Sequence, residues 1–283
     1  MKVKIFLILF SISFILECLT GILRGYASFQ ISSLSGFLLF LFLTLYSLRR
    51  YQNKISYFWI FCAVLLGLCI VQLPMRILSF ENTLVSLPDF IFHISGILLG
   101  LLLFKARPGY SFLITGIWLM IFLFMFFRGY DIWLHKLNFG TFTGFVQEPA
   151  PYFTIPVNDD QNLSNNSTRD KLIVLDFWHT GCGVCFEKFP VLQSKFDKYK
   201  NVKNIEFYAV DIHIKRDSIN QAKNMIKRLK YTFPVLVIND SSAKAFNVHC
   251  VPATLIIRNG KEIIYRGDID GIDKIIENFT NSC

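Results

Sequence analysis

Apolar positions divide this chain into two unlike halves. Up to about residue 127 they form five long runs, and afterwards they recur in short groups between charged residues. The runs cover about residues 5–23, 29–48, 57–73, 88–104 and 110–127. Each is close to the length that an α-helix needs to cross the hydrocarbon core of a bilayer. Because lipid cannot pair backbone polar groups, runs of this length must be helical. The first half therefore predicts an α-helical membrane domain with five spans.

Basic residues are concentrated at alternate ends of these runs. They precede the first run and follow the second and the fourth, as Lys2, Lys4, Arg49, Arg50, Lys54, Lys105 and Arg107. The positive-inside rule assigns these ends to the cytoplasm. Five spans in a bacterial cytoplasmic membrane then place the C-terminal half outside, in the periplasm or the extracellular space. If the first run is instead a cleaved signal peptide, four spans remain and this half still lies outside.

Glu17, His93 and three thiols lie within the apolar runs. Glu17 and His93 are costly in lipid, so they are either functional groups or structural ones. In the structural interpretation Glu17 reaches the interface and His93 bonds to a neighbouring helix. Cys62 and Cys69 are seven residues apart and share a helix face. Together with Cys18 they could relay electrons, although buried thiols are more often inert.

In the second half of the chain the apolar positions form shorter groups with the spacing of strands and helices. Apolar runs at 172–177, 205–210 and 233–238 have the length of buried strands. Apolar positions recur at helical spacing over 185–199, 218–229 and 272–279. The strands 254–257 and 262–265 flank Asn259-Gly260, which is a strong hairpin signal. This alternation predicts an α/β domain with a central mixed sheet flanked by helices.

Three parts of the chain follow from these patterns: a transmembrane domain at 1–128, a juxtamembrane linker with an extended segment at 129–170, and the α/β domain at 171–283. The net charge of +9 is concentrated in the first part, where ten Lys and Arg face three Asp and Glu. Since the positive excess belongs to the membrane part, nucleic acid is not a predicted partner. Membrane lipid is a predicted partner, through the spans.

Cys182 and Cys185 lie where the strand at 172–177 gives way to a helix. The helix N-terminus offers unpaired N–H groups and a partial positive charge. These favour a thiolate at Cys182 and lower its pKa below the free value of about 8.5. The thiolate can attack a partner disulfide, and Cys185 can then resolve the mixed disulfide. A structural disulfide, or a zinc site completed by His249 and Cys250, is the alternative, but the βαβ context favours a redox pair. We predict neither a metal nor a cofactor.

The segment around this pair resembles a known active site. Residues 176–185, with the sequence Asp-Phe-Trp-His-Thr-Gly-Cys-Gly-Val-Cys, are similar to the active-site strand and loop of thioredoxins. Residues 150–154, Pro190 and residues 251–254 are similar to the membrane-anchored TlpA/ResA-type branch of thiol-disulfide oxidoreductases. The resemblance extends from about residue 149 to the C-terminus and includes none of the membrane half. It implies a thioredoxin fold for that part.

The resemblance also implies roles for four residues besides the cysteines. Pro252 corresponds to a cis-proline that faces the Cys pair and leaves the Val251 backbone free to pair with a substrate chain. Asp176 corresponds to a buried acid whose raised pKa lets it exchange a proton with Cys185. Its alternative is a carboxylate at a strand end in contact with water. Trp178 corresponds to the loop tryptophan that packs beneath the pair.

Some positions depart from the family pattern. Val184 replaces a common proline, Gly181 a common tryptophan, and Lys188 a glutamate found in many TlpA-like chains. Each changes the charge or rigidity around the thiolates, which set the reduction potential. Cys250 is expected to be a buried core cysteine or a third thiol near the site. Cys283 is expected to be a surface thiol or an intermolecular partner.

These features predict a membrane-anchored thiol-disulfide oxidoreductase that exchanges protein disulfides and dithiols on the outer side, acting as a reductant. Its catalytic residues are Cys182, Cys185, Asp176 and Trp178, and its substrate-binding residues are Val251 and Pro252. Two other functions remain open: a transmembrane electron conduit, because one span would suffice as an anchor, and a non-enzymatic redox sensor. The sequence identifies no redox partner.

Overall fold

Helices make up the first part of the chain in the computed structural model, which describes residues 1–158, 160–218 and 220–280. The compact unit Met1–Asp131 contains α1 to α6 and the beginning of α7. Their bounds are Lys2–Tyr26 (α1), Phe29–Tyr51 (α2), Tyr57–Leu78 (α3), Phe80–Thr83 (α4), Leu87–Lys105 (α5), Pro108–Phe124 (α6) and Tyr130–Phe139 (α7). A π-helical turn, Met125–Gly129, joins α6 to α7. Five helical stretches are long and apolar enough to cross a membrane: Lys2–Tyr26, Phe29–Tyr51, Tyr57–Leu78, Phe80–Lys105 and Gly109–Phe139.

Small residues allow close helix packing in this unit, where α1 packs on α3 and α2 on α5. A Cβ added at Gly96 of α5 would collide with the backbone oxygen of Phe37 on α2. A Cβ at Gly36 of α2 would collide with the imidazole of His93. Glycine at these two positions therefore lets the α2 and α5 backbones approach, as is common between membrane helices.

A buried polar cluster joins four of these helices. His93 Nδ1 lies 2.8 Å from Glu17 Oε2, and Gln72 donates a 2.5 Å hydrogen bond to Glu17 Oε1. Arg24 forms an ion pair with Asp89, which also accepts a hydrogen bond from Ser33. His93 thus bonds to a neighbouring helix, as the structural interpretation expected. Glu17 is held inside the unit by these partners, with 1% of its surface exposed.

Strands and helices alternate in the compact unit Ile132–Cys283. The strands are Phe145–Pro149 (β1), Thr154–Pro156 (β2), Asn162–Ser164 (β3), Leu172–Trp178 (β4), Ile205–Ile212 (β5), Val235–Ile238 (β6), Ala253–Arg258 (β7) and Glu262–Gly267 (β8). The helices are Gly183–Tyr199 (α8), Gln221–Arg228 (α9), Asp240–Ala245 (α10) and Asp273–Thr280 (α11). Six strands form one sheet in the order β1-β8-β7-β4-β5-β6, and β2 pairs with β3. The three central pairings differ in direction: β5 runs parallel to β4 and β6, whereas β7 runs antiparallel to β4.

Every residue of β4 is buried, and its side chains divide between two cores. Leu172, Val174 and Trp178 pack with α8, α9 and α11 on one face of the sheet. The residues between them pack with α10 and the β2–β3 pair on the other face. This alternation follows from the two-residue period of a strand. The result is the three-layer thioredoxin fold, a mixed sheet flanked by helices, as the sequence predicts.

The structure differs from the predicted pattern mainly at element ends and in the region 129–170. Much of this predicted linker is ordered secondary structure, since α7 extends to Phe139 and β1 completes the edge of the large sheet. Helix α9 begins at Gln221 instead of near Ser218, and α10 has no counterpart among the predicted elements. Asn259 and Gly260 both have positive φ, 55° and 65°, as the predicted hairpin turn requires.

Candidate active site

The two predicted redox cysteines lie at the junction of β4 and α8. Their sulfur atoms form a disulfide with an S–S distance of 2.05 Å. Cys182 is the N-cap residue of α8, and its sulfur accepts a 3.2 Å hydrogen bond from the backbone N–H of Cys185. Cys185 is 1% exposed and Cys182 9%. The sulfur nearer the surface therefore lies at the positive end of the helix, where a thiolate is stabilised.

The loop before the pair is held by local hydrogen bonds. The backbone N–H of Gly181 donates to Nδ1 of His179, and that of Cys182 donates to the His179 carbonyl. The hydroxyl of Thr180 donates to the carboxylate of Asp217, 2.7 Å from both oxygens. His179 thus acts as a turn residue of the loop, and the link from Thr180 to Asp217 was not foreseen from the sequence.

Asp176 lies on β4, on the face that carries the Cys pair. Its position two residues before Trp178 gives it the same orientation as Val174 and Trp178, which pack with both cysteines. It is 4% exposed, and Thr254 on β7 donates a 2.6 Å hydrogen bond to its Oδ1. Burial raises the pKa of Asp176 to about 7, although the Thr254 hydrogen bond and the charge of Lys188 oppose the rise. The carboxyl group is therefore buried, not in contact with water at a strand end.

Trp178 is completely buried under the start of α8. Its ring packs edge-on against Phe189 at 5.0 Å between centroids and against Phe186 at 6.1 Å. It belongs to the same core cluster as Cys182 and Cys185. Its indole Nε1 has no hydrogen-bond partner. Trp178 therefore supports the pair through packing.

Val251 and Pro252 lie next to the Cys pair but belong to a different segment from β4 and α8. They directly precede β7, whose first residue, Ala253, is in register with Phe177 near the end of β4. The Val251–Pro252 peptide bond is cis. The Val251 carbonyl oxygen lies 3.9 Å from Cys182 Sγ. Sheet pairing therefore brings together two segments that are about 70 residues apart in sequence.

Lys188, one turn beyond Cys185 on α8, is paired with two acids after β8. Its Nζ lies 2.6 Å from Asp270 and 3.3 Å from Asp268. The hydrogen bond with Asp270 is the main reason why the pKa of Lys188 is raised. Lys188 and Asp268 also act on Asp176 with opposite sign: the lysine lowers the pKa of Asp176 and the aspartate raises it. These acids were not identified from the sequence, because they follow the pair by more than 80 residues.

Four other cysteines of the described chain take no part in this disulfide. Cys18, Cys62, Cys69 and Cys250 are free, and Cys283 falls outside the described residues. The half-buried thiol of Cys250 lies 3.2 Å from the carbonyl oxygen of Asn138. Burial raises the pKa of Cys250. The thiol of Cys250 is therefore half-buried and hydrogen-bonded to a residue near the end of α7.

Part of this chain is similar to known proteins. The sequence profile of the AhpC/TSA family matches residues 146–266. The thiol-disulfide oxidoreductase ResA of Bacillus subtilis (strain 168) is 23% identical over 116 residues, which cover 41% of this chain and 63% of that protein. ResA of Bacillus thuringiensis subsp. konkukian is 26% identical over 120 residues, covering 42% and 67%. This chain thus spans somewhat less than two thirds of the length of Bacillus subtilis ResA.

Two solved structures are similar to the same part of the chain. A thiol-disulfide oxidoreductase from Bacteroides fragilis has a TM-score of 0.40 and 21% identity, covering 46% of this chain and 98% of its own. The thioredoxin domain of a thiol-disulfide oxidoreductase from Bacteroides vulgatus has a TM-score of 0.39 and 20% identity, covering 48% and 96%.

Proposed function

Because the C-terminal half of the chain is a thioredoxin-like domain of the AhpC/TSA type, we propose that it is a thiol-disulfide oxidoreductase acting on protein disulfides through Cys182 and Cys185. One observation carries this proposal: the Cys182 sulfur lies at the N-terminus of α8 and 3.9 Å from the Val251 carbonyl. A substrate chain that pairs with the Val251 backbone as an added strand would bring its own disulfide to this sulfur.

The proposed reaction reduces the partner and oxidises this protein. The Cys182 thiolate attacks one sulfur of the partner disulfide, the partner S–S bond breaks, and the second partner sulfur leaves as a thiolate. Cys185 then loses its proton and attacks Cys182 Sγ, which releases the first partner sulfur. Both partner thiolates take up protons. Two electrons and two protons reach the partner, and the Cys182–Cys185 disulfide remains, which is the state of the described site.

Asp176 is the proposed proton acceptor for Cys185. Its pKa near 7 means that both protonation states are populated at neutral pH, which is the condition for efficient proton transfer. The carboxyl group also lies on the face of β4 that packs under both cysteines. Thr254 fixes one carboxyl oxygen and leaves the other available for the proton.

The five apolar helices are the proposed anchor in a bacterial cytoplasmic membrane. Lys105, at the end of α5, and the arginines at the end of α2 lie at the helix ends assigned to the cytoplasm. The thioredoxin-like domain would then act on the outer side. Protease added to spheroplasts should degrade this domain while the membrane stays sealed. Protection of the domain until the membrane is permeabilised would contradict the orientation.

The catalytic assignment is tested with the full-length protein in detergent, using insulin as the protein disulfide. Cys182→Ser should abolish disulfide exchange, and Cys185→Ser should accumulate a mixed disulfide with the partner because the resolving thiol is gone. Cys250→Ser is the matched control, since this thiol bonds to Asn138 instead. Full activity of Cys182→Ser would exclude the proposed nucleophile.

The direction of electron flow is tested separately by the midpoint potential of the Cys pair. We propose that the protein is a reductant, which predicts a value near about −270 mV, as for thioredoxin. A value near about −120 mV, as for strong periplasmic oxidants, would reverse the direction without affecting the assignment of the cysteines.

A further inference from the structure

Three side chains that could bind a metal converge beside the active-site loop, at the end of β5. Asp211 and His213 are two residues apart, so they lie on the same side of the extended chain. Asp217 returns to them through a turn in which its N–H donates to the Ile214 carbonyl. One ligand atom from each of the three residues lies within 4.8 Å of the other two. No other group of this kind occurs among the described residues.

The buried carboxylate of Asp211, one of these three side chains, is incompletely hydrogen-bonded. The residue is 1% exposed, yet its Oδ1 has no hydrogen-bond partner. The other buried aspartate of the domain, Asp176, does receive a hydrogen bond, from Thr254. An unpaired carboxylate oxygen removed from water is costly, and native structures rarely leave one unsatisfied. A cation between these groups would give the buried Asp211 oxygen a partner and would offset the negative charges of the two carboxylates.

The surroundings also orient the ligands. Thr180 donates its hydroxyl hydrogen bond to Asp217, and Thr180 is itself buried. A hydrogen bond from a residue that does not itself bind the metal holds a ligating carboxylate in one orientation. His213 is exposed, and its backbone N–H donates to the Ile238 carbonyl. The imidazole can therefore turn on a fixed backbone. The guanidinium of the neighbouring Arg216 occupies the space that a Cβ at Gly181 would fill.

We propose that Asp211, His213 and Asp217 bind one divalent transition-metal ion, and that Zn²⁺ fits best. Two carboxylates and a neutral imidazole balance the charge of the ion and match the nitrogen and oxygen ligands that zinc accepts. With bonds of about 2.1 Å, tetrahedral ligands lie roughly 3.4 Å apart. The three side chains therefore need to close by about 1.4 Å or less, and water takes the fourth position. Mg²⁺ and Ca²⁺ fit less well, because they prefer oxygen ligands alone.

The site is independent of the proposed thiol chemistry, because none of its ligands is a cysteine. It is nevertheless coupled to the loop in front of Cys182 through the hydrogen bond from Thr180. A bound ion would fix Asp217, and Asp217 would fix Thr180. The failure of metal binding would leave the disulfide-exchange proposal unchanged, and the reverse also holds.

The test is a zinc competition assay on the full-length protein in detergent, with the Cys pair oxidised and all free thiols alkylated. After treatment with EDTA and its removal, a chromophoric chelator should report one tightly bound Zn²⁺. His213→Ala and Asp217→Asn, both at positions that reach the surface, should each weaken binding by tenfold or more. Thr180→Val should weaken it by about tenfold, as the loss of an outer hydrogen bond to a ligand does.

Matched controls are His249→Ala and Asp240→Asn, which change an exposed histidine and an exposed aspartate elsewhere in the domain. Both should bind Zn²⁺ like the unchanged protein. Co²⁺ used as a probe should give visible absorption without sulfur-to-metal charge transfer. The proposal is overturned if the unchanged protein binds no zinc, if His213→Ala and Asp217→Asn bind it with unchanged affinity, or if His249→Ala is the variant that loses it.

Discussion

Thr254 donates a 2.6 Å hydrogen bond to Oδ1 of Asp176, and the two residues lie directly opposite each other where β7 pairs with β4. The register of the sheet thus determines the one hydrogen bond described for this carboxyl group. One hydrogen bond does not replace the hydration that the group loses on burial, so its pKa stays near 7. The predictions below start from this relationship.

Asp176→Asn should make the stability of the domain less dependent on pH. The folded-state pKa of Asp176, about 7, lies above its ordinary value of 3.8. The stability that its protonated form contributes is therefore fully present below about pH 4 and is lost as the pH rises through 7. Between pH 5 and pH 8 the unchanged protein should lose roughly 3 kcal/mol more than Asp176→Asn. Pulse proteolysis in urea measures this difference.

Asp240→Asn is the control for this comparison, since Asp240 is exposed at the start of α10. It should follow the pH dependence of the unchanged protein. Parallel stability curves for Asp176→Asn and the unchanged protein would mean that Asp176 is ionised at an ordinary pKa in the folded domain. It would then not be the buried acid described above.

Lys188 and Asp268 should shift the titration of Asp176 in opposite directions. The positive charge of Lys188 lowers the pKa of Asp176 and the negative charge of Asp268 raises it. Lys188→Met should therefore move the midpoint of the pH–rate profile of disulfide exchange upwards, and Asp268→Asn should move it downwards. Lys198→Met is the control, because Lys198 lies on the same helix but pairs with Asp273 and Glu277. Shifts of the same sign in both variants would contradict this electrostatic account.

The three cysteines among the described residues of the domain should differ in their rate of alkylation after reduction. Cys182 is the most accessible of the pair and lies at the helix N-terminus, whereas Cys185 is 1% exposed. Burial raises the pKa of Cys250, which slows its reaction as well. Iodoacetamide should modify Cys182 about tenfold faster than either of the others at pH 7. Mass spectrometry of peptides assigns each site, and faster modification of Cys185 would reverse the proposed roles.

Trp178 should contribute to stability through its volume and not through its N–H group. Trp178→Ala should cost about 3–5 kcal/mol, because it leaves a cavity beside Phe189. Trp178→Phe removes an indole N–H that has no partner and keeps most of the apolar contact. It should cost clearly less than Trp178→Ala, because the cavity that it leaves is smaller. The free energies of unfolding of the two variants test this difference, and equal losses would mean that the N–H group is bonded in solution.

Local sequence patterns were sufficient for most of the fold. The length of the apolar runs predicted the five long helices, and the period of the apolar positions predicted β4 and α8 to within about two residues of the observed bounds. The sequence did not predict helix α10, because six residues are too few to show the helical period of apolar positions. It did not predict strand β1, because its alternate exposed positions resemble a linker until β8 pairs with it.

The sequence by itself predicted that Cys182 and Cys185 lie together at a helix start, because the geometry of such a pair is set within four residues. It also predicted the five long apolar helices of the first half, since the length of each apolar run is a local property. Only the tertiary structure decided the surroundings of the pair: the hydrogen bond of Thr254 to Asp176, the pairing of Lys188 with Asp268, and the approach of Asp217 to Asp211. These contacts join distant segments through sheet register and turns. Their energies depend on burial, which a single segment of sequence does not specify.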